Sequence, residues 1–229
     1  MEKLNFTDIM DVMEARHSVR SYLDIPIEED IRKKLDDLVE ECNQESGLHI
    51  KIIYDDPEGF DSRLARYGKF RGVSNYIILA GPEEEELDER CGYYGEKIVL
   101  FAQQLGLNTC WTGLTFNKKR AKTMLEPGER LCIVIALGYG AETGKPHKSK
   151  SIDRIVVTRG DMPDWFRRGV EAALLAPTAM NQQKFRIGTK QGVPAIEVSG
   201  RGFYVDVDLG IVKYHFETAS GKKVIKPKE

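Results

Sequence analysis

Cysteine is scarce in this chain of 229 residues. Cys42, Cys91, Cys110 and Cys132 are widely spaced and form no C-x-x-C pair, which argues against a zinc site. No apolar run approaches the length needed to cross a bilayer. The first residues, Met1 to Asp8, lack the charged-then-apolar layout of a secretory signal, so a reducing cytoplasm is the expected setting. Charge of one sign is missing too. Against 34 Lys and Arg stand 36 Asp and Glu, a net charge of −2, which gives no case for a general attraction to nucleic acid or lipid. Any anion site must therefore be a local cluster. No Gly-x-Gly-x-x-Gly follows a strand, so a separate dinucleotide-binding fold is not indicated. At 41% hydrophobic and 31% charged the chain reads as an ordinary globular sequence, long enough for one domain or two small ones.

Patterning predicts a mixture of elements. Thr7 can cap a first helix with Phe6, Ile9, Met10 and Met13 on one face, and Pro26 separates it from a second that carries Ile31, Leu35, Leu38 and Cys42. Leu48, Ile50, Ile52 and Tyr54 alternate as a strand, residues 55 to 71 read as irregular, and 75 to 80 as a buried strand. A long helix is expected from about Leu87 to Leu105, stopped by Gly106, then a short one over 118–125 and a strand over 131–137. A loop with three lysines spans 140–150. A helix over 165–176, strands near Phe185 and Ile196, a helix from about Asp208 and a frayed tail from Gly221 complete the chain. Helices and strands mix without a strict βαβ repeat, so the class is α+β, with a central, mostly antiparallel sheet.

One segment carries more chemistry than the rest. Pro177 should end the Ala- and Leu-rich helix before it. The loop Ala176-Pro177-Thr178-Ala179-Met180-Asn181-Gln182-Gln183 then gathers Thr and Asn side chains and free backbone N–H groups, suited to a flat ligand with many acceptors. On pattern alone an ordinary helix stop and turn fits as well. Near the other end, Arg16 and Arg20 lie four apart with Ser18 between them, sharing a face if the first helix runs through them. A solvated basic helix end is the plainer alternative.

Together these motifs resemble the FMN-dependent nitroreductases. The loop is similar to that family's Ala-Pro-Ser-Ala-x-Asn-x-Gln, Arg16-His17-Ser18-Val19-Arg20 to its Arg-x-Ser-x-Arg/Lys, and Gly106 to Gly113 to its Gly-Leu-Gly-Thr-Cys-Trp-x-Gly. Leu137-Gly138-Tyr139-Gly140 with Lys148-Ser149-Lys150 resembles its closing strand and basic tail. The resemblance implies FMN as cofactor. Arg16, Ser18 and Arg20, joined by Lys148 and Lys150, would hold its phosphate and ribityl chain. Thr112 and Gly113 would meet one ring edge, and Pro177, Thr178 and Asn181 would approach from the opposite side, with Trp111 lining the slot. His17 receives no role. Reduced nicotinamide, NADH or NADPH, would be the donor and a nitroaromatic or quinone-like compound the acceptor, with no side chain cast as a general acid and no metal.

The order of motifs departs from the family's usual one. There the Ala-Pro loop follows the arginine motif by a few tens of residues, where this chain has Glu41-Cys42-Asn43-Gln44, a poor match. Family members are homodimers in which one subunit lends this loop to its partner's flavin. A chain with a first half over 1–150 and a second half-repeat over 151–229 could supply both parts itself, as in a divergent branch of the family, working as a monomeric pseudo-dimer or as a homodimer. Gly95-x10-Gly106 and Gly210-x10-Gly221, with Phe101 and Phe216 at one offset, read either as an internal repeat or as coincident helix stops. Lys184-Phe185 replaces the family's Pro-Trp. That change leaves a non-catalytic FMN binder, or a module that has lost its flavin, as the rival to an oxidoreductase.

Overall fold

The first helix, α1 (Ile9–Ala15), starts where the Asp8 carboxylate accepts the Met10 amide at 3.0 Å. Asp8, not Thr7, is the cap; Thr7 instead donates to Asp11. The computed structural model describes residues 6–158 and 162–225. α2 (Glu29–Ser46) buries Leu35 and Cys42 as its periodicity requires and ends on left-handed Gly47. β1 (Lys51–Ile53) follows. The segment read as irregular holds a short helix, α3 (Arg63–Tyr67), before β2 (Asn75–Pro82). Then come α4 (Leu87–Gln104), β3 (Asn108–Thr112), α5 (Lys118–Lys122) and β4 (Glu129–Gly138). The second part contributes α6 (Ile152–Ile155), α7 (Asp164–Leu175), β5 (Phe185–Lys190), β6 (Val193–Val198) and α8 (Val205–Ser220).

The main sheet has the order β1-β2-β4-β3, every pair antiparallel. Both of its faces are covered, which explains why β2 and β4 read as nearly unbroken apolar runs. Ile77, Leu79, Ile133, Ile135 and Leu137 point to a core shared with α2, α4, α7 and α8. Tyr76, Ile78, Ala80, Val134 and Ala136 point to a second core with Val19, Phe60, Phe70 and Phe116. β5 and β6 form a separate hairpin.

α8 begins three residues before Asp208, the start expected from sequence. The tail is not frayed at its beginning: the Ile225 amide donates to the Pro194 carbonyl at 3.0 Å and Val224 to Glu217 at 2.9 Å. The remainder of that tail lies outside the described residues.

α4 and α8 cross at unusually short range. A Cβ on Gly92 would lie 2.0 Å from the Val207 carbonyl oxygen, and one on Gly210 would lie 1.9 Å from that of Glu89. In each case the glycine meets the residue three before the other glycine. That reciprocity is the signature of a local two-fold axis, as at an isologous dimer contact. It pairs Gly210 with Gly92, one turn away from Gly95. Apart from the short α3 inserted between β1 and β2, the order helix-strand-strand-helix also recurs, as α2, β1, β2, α4 and again as α7, β5, β6, α8.

Candidate functional site

The arginine motif is extended, not helical. α1 stops at Ala15, Arg16 takes φ −72° and ψ 115°, and Ser18 pairs in parallel with Thr109 on the outer edge of β3. Arg16 and Arg20 therefore do not share a helix face. Strand alternation brings the three motif residues together instead, because positions two apart point to the same side. Arg16, Ser18 and Arg20 all line one cleft of about 450 Å³.

Opposite them stands the loop after α7. Pro177 ends that helix as expected, with Ala176 in an extended conformation. Met180, Asn181 and Gln183 then adopt φ of 52°, 54° and 45°, left-handed values that cost a non-glycine residue on the order of 1–3 kcal/mol each. Such a turn persists only if its surroundings hold it. The buried Gln183 side chain donates to the Lys148 carbonyl and Asn181 Oδ1 and accepts the Lys150 amide, and its own amide donates to Thr178 Oγ1. From α8, Asp208 accepts the Ala179 amide at 2.9 Å and the Gln182 side chain at 2.7 Å.

Pro177, Thr178 and Asn181 line the same cleft as the arginine motif, in one chain. A smaller cavity of about 130 Å³ adjoins it, where Ser18, Arg20, Pro177 and Thr178 meet Trp111, Gly113 and Tyr204. Gly113 is required there, since the Tyr204 ring occupies the place of a Cβ, 2.3 Å away, and the Tyr204 hydroxyl donates to the Gly113 carbonyl at 2.8 Å.

Three expected residues fall outside these walls. Thr112 is buried, its hydroxyl 2.7 Å from that of Thr115. The Lys150 ammonium is spent on the Gln182 and Gln183 carbonyls at 2.9 and 2.7 Å, and Lys148 offers the loop its carbonyl. The Lys150 ammonium serves the loop's backbone and the Lys148 carbonyl its Asn181 and Gln183 side chains, and Lys145 and His147 line the cleft in their place. Burial holds His147 below its ordinary value, partly opposed by its contact with the Leu174 carbonyl.

Residues 8–220 match the family model described as "Putative TM nitroreductase". The chain belongs to this family. No sequence among the curated proteins matches it. Among solved structures, a Thermotoga maritima protein described as a "putative nitroreductase" is 22% identical, with TM-score 0.69 over 100% of this chain and 94% of that one. A Desulfovibrio desulfuricans relative so described, solved in complex with FMN, is 20% identical, with TM-score 0.55 over 69% of this chain and all of its own. A Bacteroides thetaiotaomicron protein described as an NADH dehydrogenase/NAD(P)H nitroreductase is 23% identical, with TM-score 0.52 over 66% and 97%. These likenesses establish the nitroreductase fold. The family match makes this an oxidoreductase family, and no helix among the described residues is long and apolar enough to cross a membrane.

Behind the cleft of this nitroreductase-family chain lies a charged group that no motif announced. Glu96, on α4, is fully buried. Its carboxylate accepts the Trp111 indole N–H at 2.9 Å, lies 2.9 Å from His215 Nε2 and stands 3.9 Å from Arg16 Nε. His215 Nδ1 faces the Ala172 carbonyl at 2.9 Å, an acceptor only, so that nitrogen carries a proton. Glu96 thus ties down two cleft residues at once, Arg16 and Trp111. The signal was present only as polar residues on otherwise apolar helical faces.

Asp208 is the other unannounced group. Burial raises its value from 3.8 to about 6, against the lowering effect of its bonds from Gln182 and the Ala179 amide. A folded-state value above the unfolded one means that its stabilising contribution is complete below about pH 4 and is lost as pH rises through about 6. Asp208→Asn removes this dependence. Its stability relative to wild type should improve by on the order of 3 kcal/mol between about pH 4 and pH 7, read by urea denaturation at each pH. A difference independent of pH would rule out this account of Asp208.

Proposed function

We propose that the chain is an FMN-dependent oxidoreductase with one complete flavin site per polypeptide, its walls drawn from residues 1–150 and 151–229. The observation that carries this reading is the cleft itself, in which Arg16, Ser18 and Arg20 face Pro177, Thr178 and Asn181 of the same chain.

The donor set suits a phosphorylated, flat cofactor. Arg16 lines the cleft although it is only 4% exposed. A guanidinium held largely out of bulk water favours a phosphate beside it, through charge-assisted hydrogen bonds. Burial pulls Arg16 below its ordinary value and Glu96 opposes that pull, so the carboxylate helps keep the guanidinium charged. Arg20 and Lys145 add two more cations against the single carboxylate Glu142. Trp111 and Pro177 offer apolar surface to a ring.

When bound, FMN supplies the redox chemistry, between a reduced nicotinamide and an acceptor. The chain's own part is binding, orientation and electrostatics. The Asp208 and Gln183 clamps hold the loop rigid, so the slot is formed before the cofactor arrives. Fusing both walls in one chain avoids the association cost of a site shared between subunits.

Titration of purified protein should reach one FMN per chain, and NADH or NADPH should bleach the bound flavin. A yellow protein that neither nicotinamide bleaches would favour the non-catalytic binder. Arg16→Ala or Arg20→Ala should weaken FMN binding by about 1.5–3 kcal/mol, roughly 10- to 150-fold in Kd. The loss should shrink at high salt. Wild-type affinity in both variants would overturn the phosphate assignment.

A further inference from the structure

A third cavity, of about 380 Å³, opens on the far side of Arg20 and Trp111, the two residues it shares with the inner cavity. Phe70 and Trp111 give it aromatic surface, and Tyr67, 84% exposed, stands on its rim. Its charged lining is Arg20 and Lys69, with no carboxylate. Among the described residues no acidic group pairs with the Lys69 ammonium.

The position of Lys69 is unusual. α3 ends in a Schellman motif, in which the Phe70 amide donates to the Ala65 carbonyl at 3.1 Å and the Lys69 amide to Arg66 at 3.0 Å. The residue in the left-handed position, φ 63°, is Lys69, where glycine is the usual occupant. A lysine there carries a strain that glycine would not. The turn is also fixed in place. A Cβ on Gly68 would lie 2.5 Å from Thr115 Cβ, and Thr115 is tied to Thr112. A strained side chain on a rigid turn, unpaired and lining an aromatic cavity, points to a ligand contact.

We infer that this outer cavity receives the acceptor, and that Lys69 selects flat aromatic acceptors bearing an anionic group, such as a carboxylate, over neutral ones. The inference rests on the flavin reading above, since it places the acceptor beside the inner cavity that would hold the ring. Lys69 is the specificity residue. Arg20 is shared with the flavin, so only Lys69 can be removed without disturbing the cofactor.

The probes are 4-nitrobenzoate and its neutral analogue 4-nitrobenzamide. Binding is read without turnover, by quenching of Trp111 emission in Trp165→Phe protein, where Trp111 is the remaining tryptophan. 4-Nitrobenzoate should bind about tenfold tighter than the amide. Lys69→Gly, which also relieves the backbone, should fold at least as stably as wild type and abolish the preference. In the FMN-loaded enzyme the same variant should lower kcat/KM about tenfold for 4-nitrobenzoate and leave 4-nitrobenzamide within twofold. High salt should mimic the substitution. Equal losses for both compounds, or none, would overturn the inference. So would slower bleaching by NADPH but not NADH with the acceptor preference intact, because Lys69 would then serve a donor phosphate. A protein that binds no FMN yet keeps the Lys69-dependent preference in the quenching assay would sink the flavin reading and not the anion selectivity.

Discussion

Gly92→Ala and Gly210→Ala should each destabilise the protein by at least about 3 kcal/mol, near the upper end for overpacked cores. At either position the new methyl would be placed about 2 Å from a backbone carbonyl oxygen of the facing helix. Backbone cannot swing aside as a side chain can, so α4 and α8 must separate along a contact that unites residues from both parts of the chain. For a protein of this size the loss corresponds to roughly 6–12 °C in Tm. Gly106→Ala is the control. Nothing lies within 4 Å of its Cβ position, and only the positive φ of 82° opposes the change, which should cost about 1 kcal/mol. Thermal unfolding of the three variants side by side tests the argument. Comparable losses in all three would mean that helix packing is not what excludes a side chain at Gly92 and Gly210.

Removal of the Glu96 carboxylate should have an effect of similar size. Glu96→Leu leaves Arg16 without its buried counter-charge, His215 Nε2 without its partner and the Trp111 N–H without its acceptor, and should cost about 3–5 kcal/mol. Glu96→Gln keeps an acceptor for Trp111 and loses only the charge, so it should fall between wild type and Glu96→Leu. Glu96→Leu combined with His215→Leu should lose less than the sum of the single changes, because removing both partners leaves no unpaired imidazole. Urea denaturation of the set measures the coupling. Strict additivity would mean that Glu96 and His215 do not act as a pair. Trp111 emission should shift with Glu96→Leu, since the indole loses its hydrogen bond.

Much of the architecture was legible before folding. Leu35 and Cys42 repeat at helical spacing, the run at 76–80 carries no charge or amide, and Pro177 stops a helix, because each is a preference acting within a few residues. The motifs around Arg16, Trp111 and Pro177 were legible for the same reason, being short and contiguous. Where local reading went astray, a distant partner had intervened. The Arg16–Arg20 segment left the helix because β3 offered an edge to pair with, and the Lys150 ammonium is engaged by the carbonyls of Gln182 and Gln183.

What sequence alone determined is therefore the longer elements, the family and the short motifs around Arg16, Trp111 and Pro177. Tertiary structure decided that those walls face one another within a single chain, that Lys145 and not Lys148 reaches the cleft, and that Lys69 lines its outer cavity. It also decided the glycine register of α4 on α8 and the pairing of Glu96 with His215, 119 residues apart. The physical reason is common to these. A side chain's periodicity and propensity are local, whereas the partner that neutralises a buried charge or accepts a close helix is supplied by packing, which no short stretch of sequence encodes.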